Sequence, residues 1–295
     1  MVFEKSRLSK QLRRLEEGMK ELLSMLSQTA LPIDPKIQAC ATSKFSEELE
    51  TELKQIGAKL ESCSYKGCFN EVEKSLESFS QRLAALEGEV RYLRGAERLE
   101  LVVLFRELFS CREEPLQIPA LSKFIQLCYA EEGLRKIELE LEALEEDLRK
   151  LQVSEGVHPC LYSIWEKLIQ QEERLLGEVR EELVKARKVS SSQPCETLRM
   201  LGVIARSVDE SRSRCEEYKA LKLEFFSPKA VESFIPPKAD AIFESEEDVK
   251  RMLNERIFER IYSVLYRVLP GGEAEREAAD LLDRYARCIW HEIKR

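Results

Sequence analysis

Two histidines, His158 and His291, and nine cysteines are the residues through which this 295-residue chain could do nucleophilic, acid–base or metal chemistry. Their spacing offers little. Cys63 and Cys68 stand five apart, and Cys288 and His291 fall on one face if a helix carries them. A zinc site built from these two pairs needs two distant segments to meet, and the spacings match no common finger pattern. His158 sits in a loop, Gly156-Val157-His158-Pro159, and reads as exposed rather than catalytic. There is no glycine-rich phosphate loop, no Gly-x-Ser-x-Gly and no His-Glu-x-x-His. Carboxylate pairs such as Glu145-Glu146 are common on solvated helices. The expectation is a chain with no catalytic residue, no metal ligand and no cofactor, hence not an enzyme.

The cysteines are odd in number and scattered, as at Cys40, Cys111, Cys128 and Cys215. The start, Met-Val-Phe-Glu-Lys-Ser-Arg, has no leader pattern. Together these predict reduced thiols that fill helix faces in a cytoplasmic protein. Composition narrows the class further. With 43% hydrophobic and 35% charged residues, the chain is too apolar for disorder and more charged than a usual compact domain. Eleven glycines and ten prolines are too few to punctuate many strands, which favours long helices. A net charge of −8 argues against nucleic acid as a partner. The local basic group Lys5, Arg7, Lys10, Arg13 and Arg14 reads as a solvated face. The densest apolar run, 99–109, is short and contains Glu100, Arg106 and Glu107, so no membrane span is expected.

What remains is association between helices. From Phe69 to Leu93 the apolar positions are Phe69, Val72, Leu76, Phe79, Leu83, Leu86, Val90 and Leu93, an unbroken heptad seam. Glu71, Glu73, Lys74, Glu77, Gln81, Arg82, Glu87 and Glu89 lie between them and suit a solvated outer face. At 1.5 Å per residue the seam is roughly 37 Å long and needs another helix to cover it. A second seam, Leu8, Leu12, Leu15, Met19, Leu22 and Leu26, runs through a helix over 5–28 and stops before Pro32 and Pro35. Those prolines detach it, so it is expected to bind a partner rather than join the core. Both seams are candidate partner-binding surfaces, and the favoured partner of the longer one is another subunit. A third seam, Leu127 to Leu151, is the internal alternative.

The remaining elements follow in order. Ser43 or Ser46 can cap a helix with Phe45, Leu49, Leu53, Ile56, Leu60 and Cys63 on its apolar side. Ser64 to Gly67 is either a turn or a defect within one long helix. The organising helix is expected to run past Gly95 through Phe109, where its apolar stripe widens on entering a globular layer. Glu113 to Pro119 reads as a loop. Helices follow over 121–151, 160–188, 195–226, 245–269 and 273–294, with a flexible linker at Ser190 to Pro194. Ser245 and Asp248 form a capping signal, and Pro270-Gly271-Gly272 ends that helix. Trp165 and Trp290 sit among periodic apolar residues and read as core. The division this implies is 1–30 as the partner-binding helix and 31–110 as a long coiled coil. A helical hairpin at 111–189 and a C-terminal bundle at 190–295 follow. The fold class is all-α, with an elongated coiled-coil N-terminal region followed by a helical bundle.

The order of elements resembles the N-terminal half of the sixth subunit of the conserved oligomeric Golgi complex, and more loosely the helical-rod vesicle tethers. The resemblance rests on Leu8-Ser9-Lys10-Gln11-Leu12, the proline-containing gap, the long seam, and Leu101-Val102-Val103-Leu104-Phe105 with Leu108-Phe109. The helical pair at 124–151 and 161–184 completes it. It spans about 5–235. It implies a non-enzymatic coiled-coil subunit of a Golgi vesicle-tethering complex in intracellular transport, partnered by other coiled-coil subunits and peripheral on Golgi membranes. The alternative is a coiled-coil subunit of a kinetochore, spindle or nuclear-pore assembly.

Overall fold

A computed structural model describes residues 2–111, 118–153, 155–269 and 272–294. Among them every regular element is helical and there is no strand. The helices are α1 (Val2–Gln28), α2 (Pro35–Ser62), α3 (Lys66–Gly95), α4 (Arg98–Ser110), α5 (Pro119–Gln152), α6 (Tyr162–Val189) and α7 (Pro194–Leu221). Then come α8 (Pro228–Ser233), α9 (Ala239–Ile242), α10 (Glu246–Val268) and α11 (Gly272–Lys294). A 3₁₀ turn, Pro159–Leu161, leads into α6, and a π-helical turn, Lys222–Phe226, prolongs α7.

By internal contacts the chain forms two compact units, 1–135 with 185–201, and 136–184 with 202–295. The dividing points of these units are not set by loops. The reason is that α5, α6 and α7 each pass from one unit into the other, so the dividing points fall inside helices where no loop marks them.

In the first unit α1, α2 and α3 pack on one another. Each break has a local cause. Asp34 accepts the N–H of Lys36 and Pro35 begins the helix, so α2 starts eight residues or more before the serines expected to cap it. The stretch 63–65 is a turn, which settles the open choice there. The seam does not continue as one helix past Gly95: Ala96 and Glu97 are extended, and Glu97 with Glu100 forms a reciprocal capping box that starts α4. The expected linker at 190–194 is a tight turn in which Ser192 and Gln193 donate to Val189. The loop expected at 113–119 and the stop at Pro270-Gly271 fall mostly outside the described residues.

In the second unit α10 and α11 are the most closely paired helices. Ser245 and Asp248 cap α10 reciprocally, as their spacing indicates. Ala274, Ala278, Leu281, Leu282, Tyr285, Ala286, Cys288 and Ile289 bury one whole face of α11. The small alanines let the two backbones approach. Trp165 is core, 2% exposed, and packs on Tyr218 and Phe226. Trp290, by contrast, is half-buried, with Lys294 Nζ 4.5 Å from its ring centre.

Candidate functional site

The two candidate partner-binding seams are filled from within the chain. Leu8, Met19, Leu22 and Leu26 of α1 are buried, and Leu12 and Leu15 are partly buried against the same core. In α3, Phe69, Val72, Leu76, Phe79, Leu86, Val90 and Leu93 are buried, and only Leu83 is partly so. Helices α1 and α2 pack on α3 and cover its seam. The expected detachment of the first helix is therefore corrected: α1 packs inside the first unit. The prolines at 32 and 35 do not detach α1. They reverse the chain so that α1 folds back against α2. The basic residues at its start are used within the same bundle, with Lys5 beside Glu61 at 2.9 Å and Arg7 beside Glu73 at 2.6 Å.

The apolar surface left open lies on α4. Leu101, Leu104, Phe105 and Leu108 face the core of the first unit. Leu99, Val102 and Val103 point away from it, 73%, 47% and 49% exposed. Their spacing, i, i+3 and i+4, makes one stripe on the opposite side of the helix. The apolar pattern that widens along this helix forms two faces, of which one is covered. A second apolar surface, on α10 in the other unit, carries Phe258, Tyr262 and Tyr266, with successive ring centres 6.2 and 5.9 Å apart.

The second unit also contains a polar cavity of about 600 Å³ that gathers the residues able to do chemistry. One wall carries His158, Pro159 and Cys160, just after the bend that follows α5. Leu151 O accepts the Trp165 indole N–H at 2.8 Å, and Val153 O accepts Lys222 Nζ at 3.0 Å. Val157 is buried, and Gly156 at φ +79° makes the bend before it, a conformation that suits glycine. The π-helical turn leaves Phe226 O free of its own helix, and that carbonyl accepts the backbone N–H of His158 at 2.6 Å. His158 is thereby held at the mouth of the 3₁₀ turn that carries Cys160.

The opposite wall is the last part of α11, with Arg284, Arg287, Cys288 and His291. His158 Nδ1 lies 2.9 Å from Cys160 Sγ and 3.2 Å from Cys288 Sγ. Arg284 donates to Ser163 Oγ at 2.6 Å, Lys167 pairs with Glu277 at 2.5 Å, and Arg287 donates to Glu246 at 3.2 Å. These contacts tie α11 to α6 and α10. Cys288 and His291 do share a helix face, as their spacing indicated. The pair they meet is His158 and Cys160, not Cys63 and Cys68.

Eight of the nine cysteines stand in four disulfides, contrary to the expectation of scattered reduced thiols. Cys40–Cys128, Cys63–Cys68, Cys111–Cys195 and Cys160–Cys288 have Cα separations of 6.1, 5.6, 5.5 and 5.9 Å. Three of them join residues more than eighty positions apart, which no spacing rule could pair. Cys215 alone is a free thiol. Burial pushes its pKa up to about 11, with the carboxylate of Glu172 adding to the shift. With eight thiols paired, the cytoplasmic location loses the thiol argument on which it stood.

Two groups among the described residues bring together side chains able to hold a metal ion, His158 with Cys160 and Cys288, and Cys40 with Cys128 and Glu131. No described helix is long and apolar enough to cross a membrane. Comparison with family models, with curated proteins and with solved structures finds no match.

Proposed function

We propose that this chain is a non-enzymatic all-α subunit of a multi-protein assembly, and that it joins a helical partner through the open side of α4. The observation that carries this reading is the stripe Leu99, Val102 and Val103. An amphipathic helix buries one face. This one has apolar side chains on both, and the second face is open among the described residues. Three apolar residues at i, i+3 and i+4 suit the apolar side of another subunit's helix, and exposed apolar patches on folded domains mark interaction sites. Buried charge supports an architectural role over a catalytic one: Glu89 and Glu172 are each tied to fixed structural partners.

A Golgi vesicle-tethering complex is the specific assembly that the order of elements favours, and an elongated chain, peripheral on the membrane, belongs to that form of the proposal. A cytoplasmic tether requires the cysteine pairs to be open, because the cytosol keeps thiols reduced. Rapid alkylation during lysis followed by mass spectrometry decides this: eight alkylated cysteines support the tether, and four intact pairs place the assembly in an oxidising compartment instead. The test of the general reading is Leu99→Ser with Val102→Asp in the full chain. The double variant is expected to keep the wild-type thermal midpoint and to lose the subunits that co-purify with the wild type. Retention of every partner overturns the α4 surface.

A further inference from the structure

We infer that the cavity in the second unit is a transition-metal site of the zinc class, made by His158, Cys160, Cys288 and His291 when the Cys160–Cys288 pair is reduced. The chain has only two histidines, 133 positions apart in sequence, and both line this one cavity with two cysteines. The ligand set is two sulfurs and two imidazoles, the combination that selects zinc over calcium or magnesium.

The geometry fits that ion. His158 Nδ1 and the sulfurs of Cys160 and Cys288 all lie within 4.8 Å of one another. Tetrahedral coordination at about 2.3 Å for sulfur and about 2.0 Å for nitrogen requires ligand atoms roughly 3.5–3.8 Å apart. Opening the disulfide lets the two sulfurs move to that spacing without moving the backbone, since the Cα atoms are 5.9 Å apart. His291 lies one helical turn beyond Cys288 on α11, is exposed and lines the same cavity, where it supplies the fourth ligand.

Charge also fits. Arg284 and Arg287 in the cavity wall would repel a bare dication. They favour thiolates, and a dication with two thiolates and two neutral imidazoles has no net charge. Arg287 is in addition paired with Glu246.

Reduction and binding balance as two steps. A dithiol reductant delivers two electrons to the Cys160–Cys288 bond, which breaks to give two thiols while the reductant closes to its own disulfide. The metal ion then displaces one proton from each thiol to solvent and forms two metal–sulfur bonds and two metal–nitrogen bonds. In the oxidised chain the sulfurs are bonded to each other and the site is lost. Metal occupancy is therefore under redox control.

The test is a Co(II) titration of the full chain, reduced and oxidised, followed by displacement with Zn(II). The reduced protein is expected to bind with the d–d bands of tetrahedral cobalt and a sulfur-to-cobalt charge-transfer band. The oxidised protein is expected to show neither. His158→Ala and His291→Ala leave every cysteine in place, so they separate this site from the Cys40–Cys128–Glu131 group. Each is expected to weaken Co(II) binding by on the order of a hundredfold or more, beyond what loss of an outer partner of a metal ligand costs. Cys288→Ser is expected to weaken the charge-transfer band by about half, because Cys160 remains the one sulfur ligand. Reduced wild type without tetrahedral bands overturns the inference. So does either histidine variant that binds Co(II) like the wild type.

Discussion

The carboxylate of Glu89, on α3, caps the N-terminus of α5 from 32 residues away, accepting the backbone N–H of Leu121 at 3.1 Å. Its other oxygen accepts the N–H of Ala120 at 3.0 Å. Helix α5 cannot cap itself here. Pro119 has no N–H, and Ile118 before it has no side-chain acceptor. Without Glu89 the next two donors, one half-buried and one buried, would lose their partner. A negative charge at a helix N-terminus is favourable as well. Glu89→Ala is expected to destabilise the first unit by about 2 kcal/mol, read by urea denaturation, because it orphans one buried and one half-buried donor.

The same carboxylate predicts a pH signature. Burial raises the pKa of Glu89 more than the two backbone N–H groups lower it. A raised folded-state pKa means that the fold favours the protonated form. The contribution is therefore fully present below the unfolded carboxyl pKa and is lost as pH rises through the higher folded value. Glu89→Gln does not titrate. The stability of wild type minus that of Glu89→Gln is expected to fall as pH rises through the range just above the ordinary glutamate value. A flat difference across that range would show that the backbone donors fully compensate burial.

Glu172 and Arg214 form the second buried charge arrangement. The Glu172 side chain is fully buried and takes Arg214 Nε at 2.7 Å and Nη2 at 3.0 Å, while Arg214 also reaches Ser211 Oγ at 2.7 Å. Removing one partner strands the other charge. Glu172→Ala is expected to cost about 3–5 kcal/mol, whereas replacing both by apolar residues of similar volume is expected to cost far less. A double-mutant cycle in urea measures the difference.

The α3 seam now gives a stability prediction rather than a binding one. Phe79 is fully buried, and Phe79→Ala is expected to cost about 3–5 kcal/mol. Leu83→Asp, at a half-buried position, is expected to cost less. Deleting 1–28 removes a helix that packs on α2 and α3 and is expected to unfold the first unit, read as lost helical circular dichroism. If the deleted chain stays folded, α1 is dispensable and the bundle is held by α2 and α3 alone.

Thiol chemistry is predicted as well. In the oxidised chain, denaturation is expected to expose one titratable thiol, that of Cys215. In the native chain that thiol is expected to resist alkylation at mildly alkaline pH, because it is buried and its pKa is about 11. Native labelling at Cys215 would show local opening of α7.

The sequence alone determined the helices. Heptad spacing, the Ser245–Asp248 signal and the prolines fix where α1, α10 and much of α5 lie, because a helix depends on residues three and four apart. It also determined that the α1 and α3 seams would be covered. It could not say by what, since Leu, Phe and Val seams are alike and any apolar stripe can cover any other. Only tertiary structure chose α1 and α2, and only it turned Glu89 from an expected solvent-facing residue into a cap for α5. The same holds for the cavity. His158 and Cys160 are uninformative in a loop, and Cys288 and His291 are uninformative on a helix. They gain chemistry only because the Phe226 carbonyl holds His158 and because α10 and α6 hold α11 against it. Contacts between residues more than a hundred positions apart leave no periodic trace in a single sequence, and such a contact, His158 with Cys288, joins the two halves of this cavity.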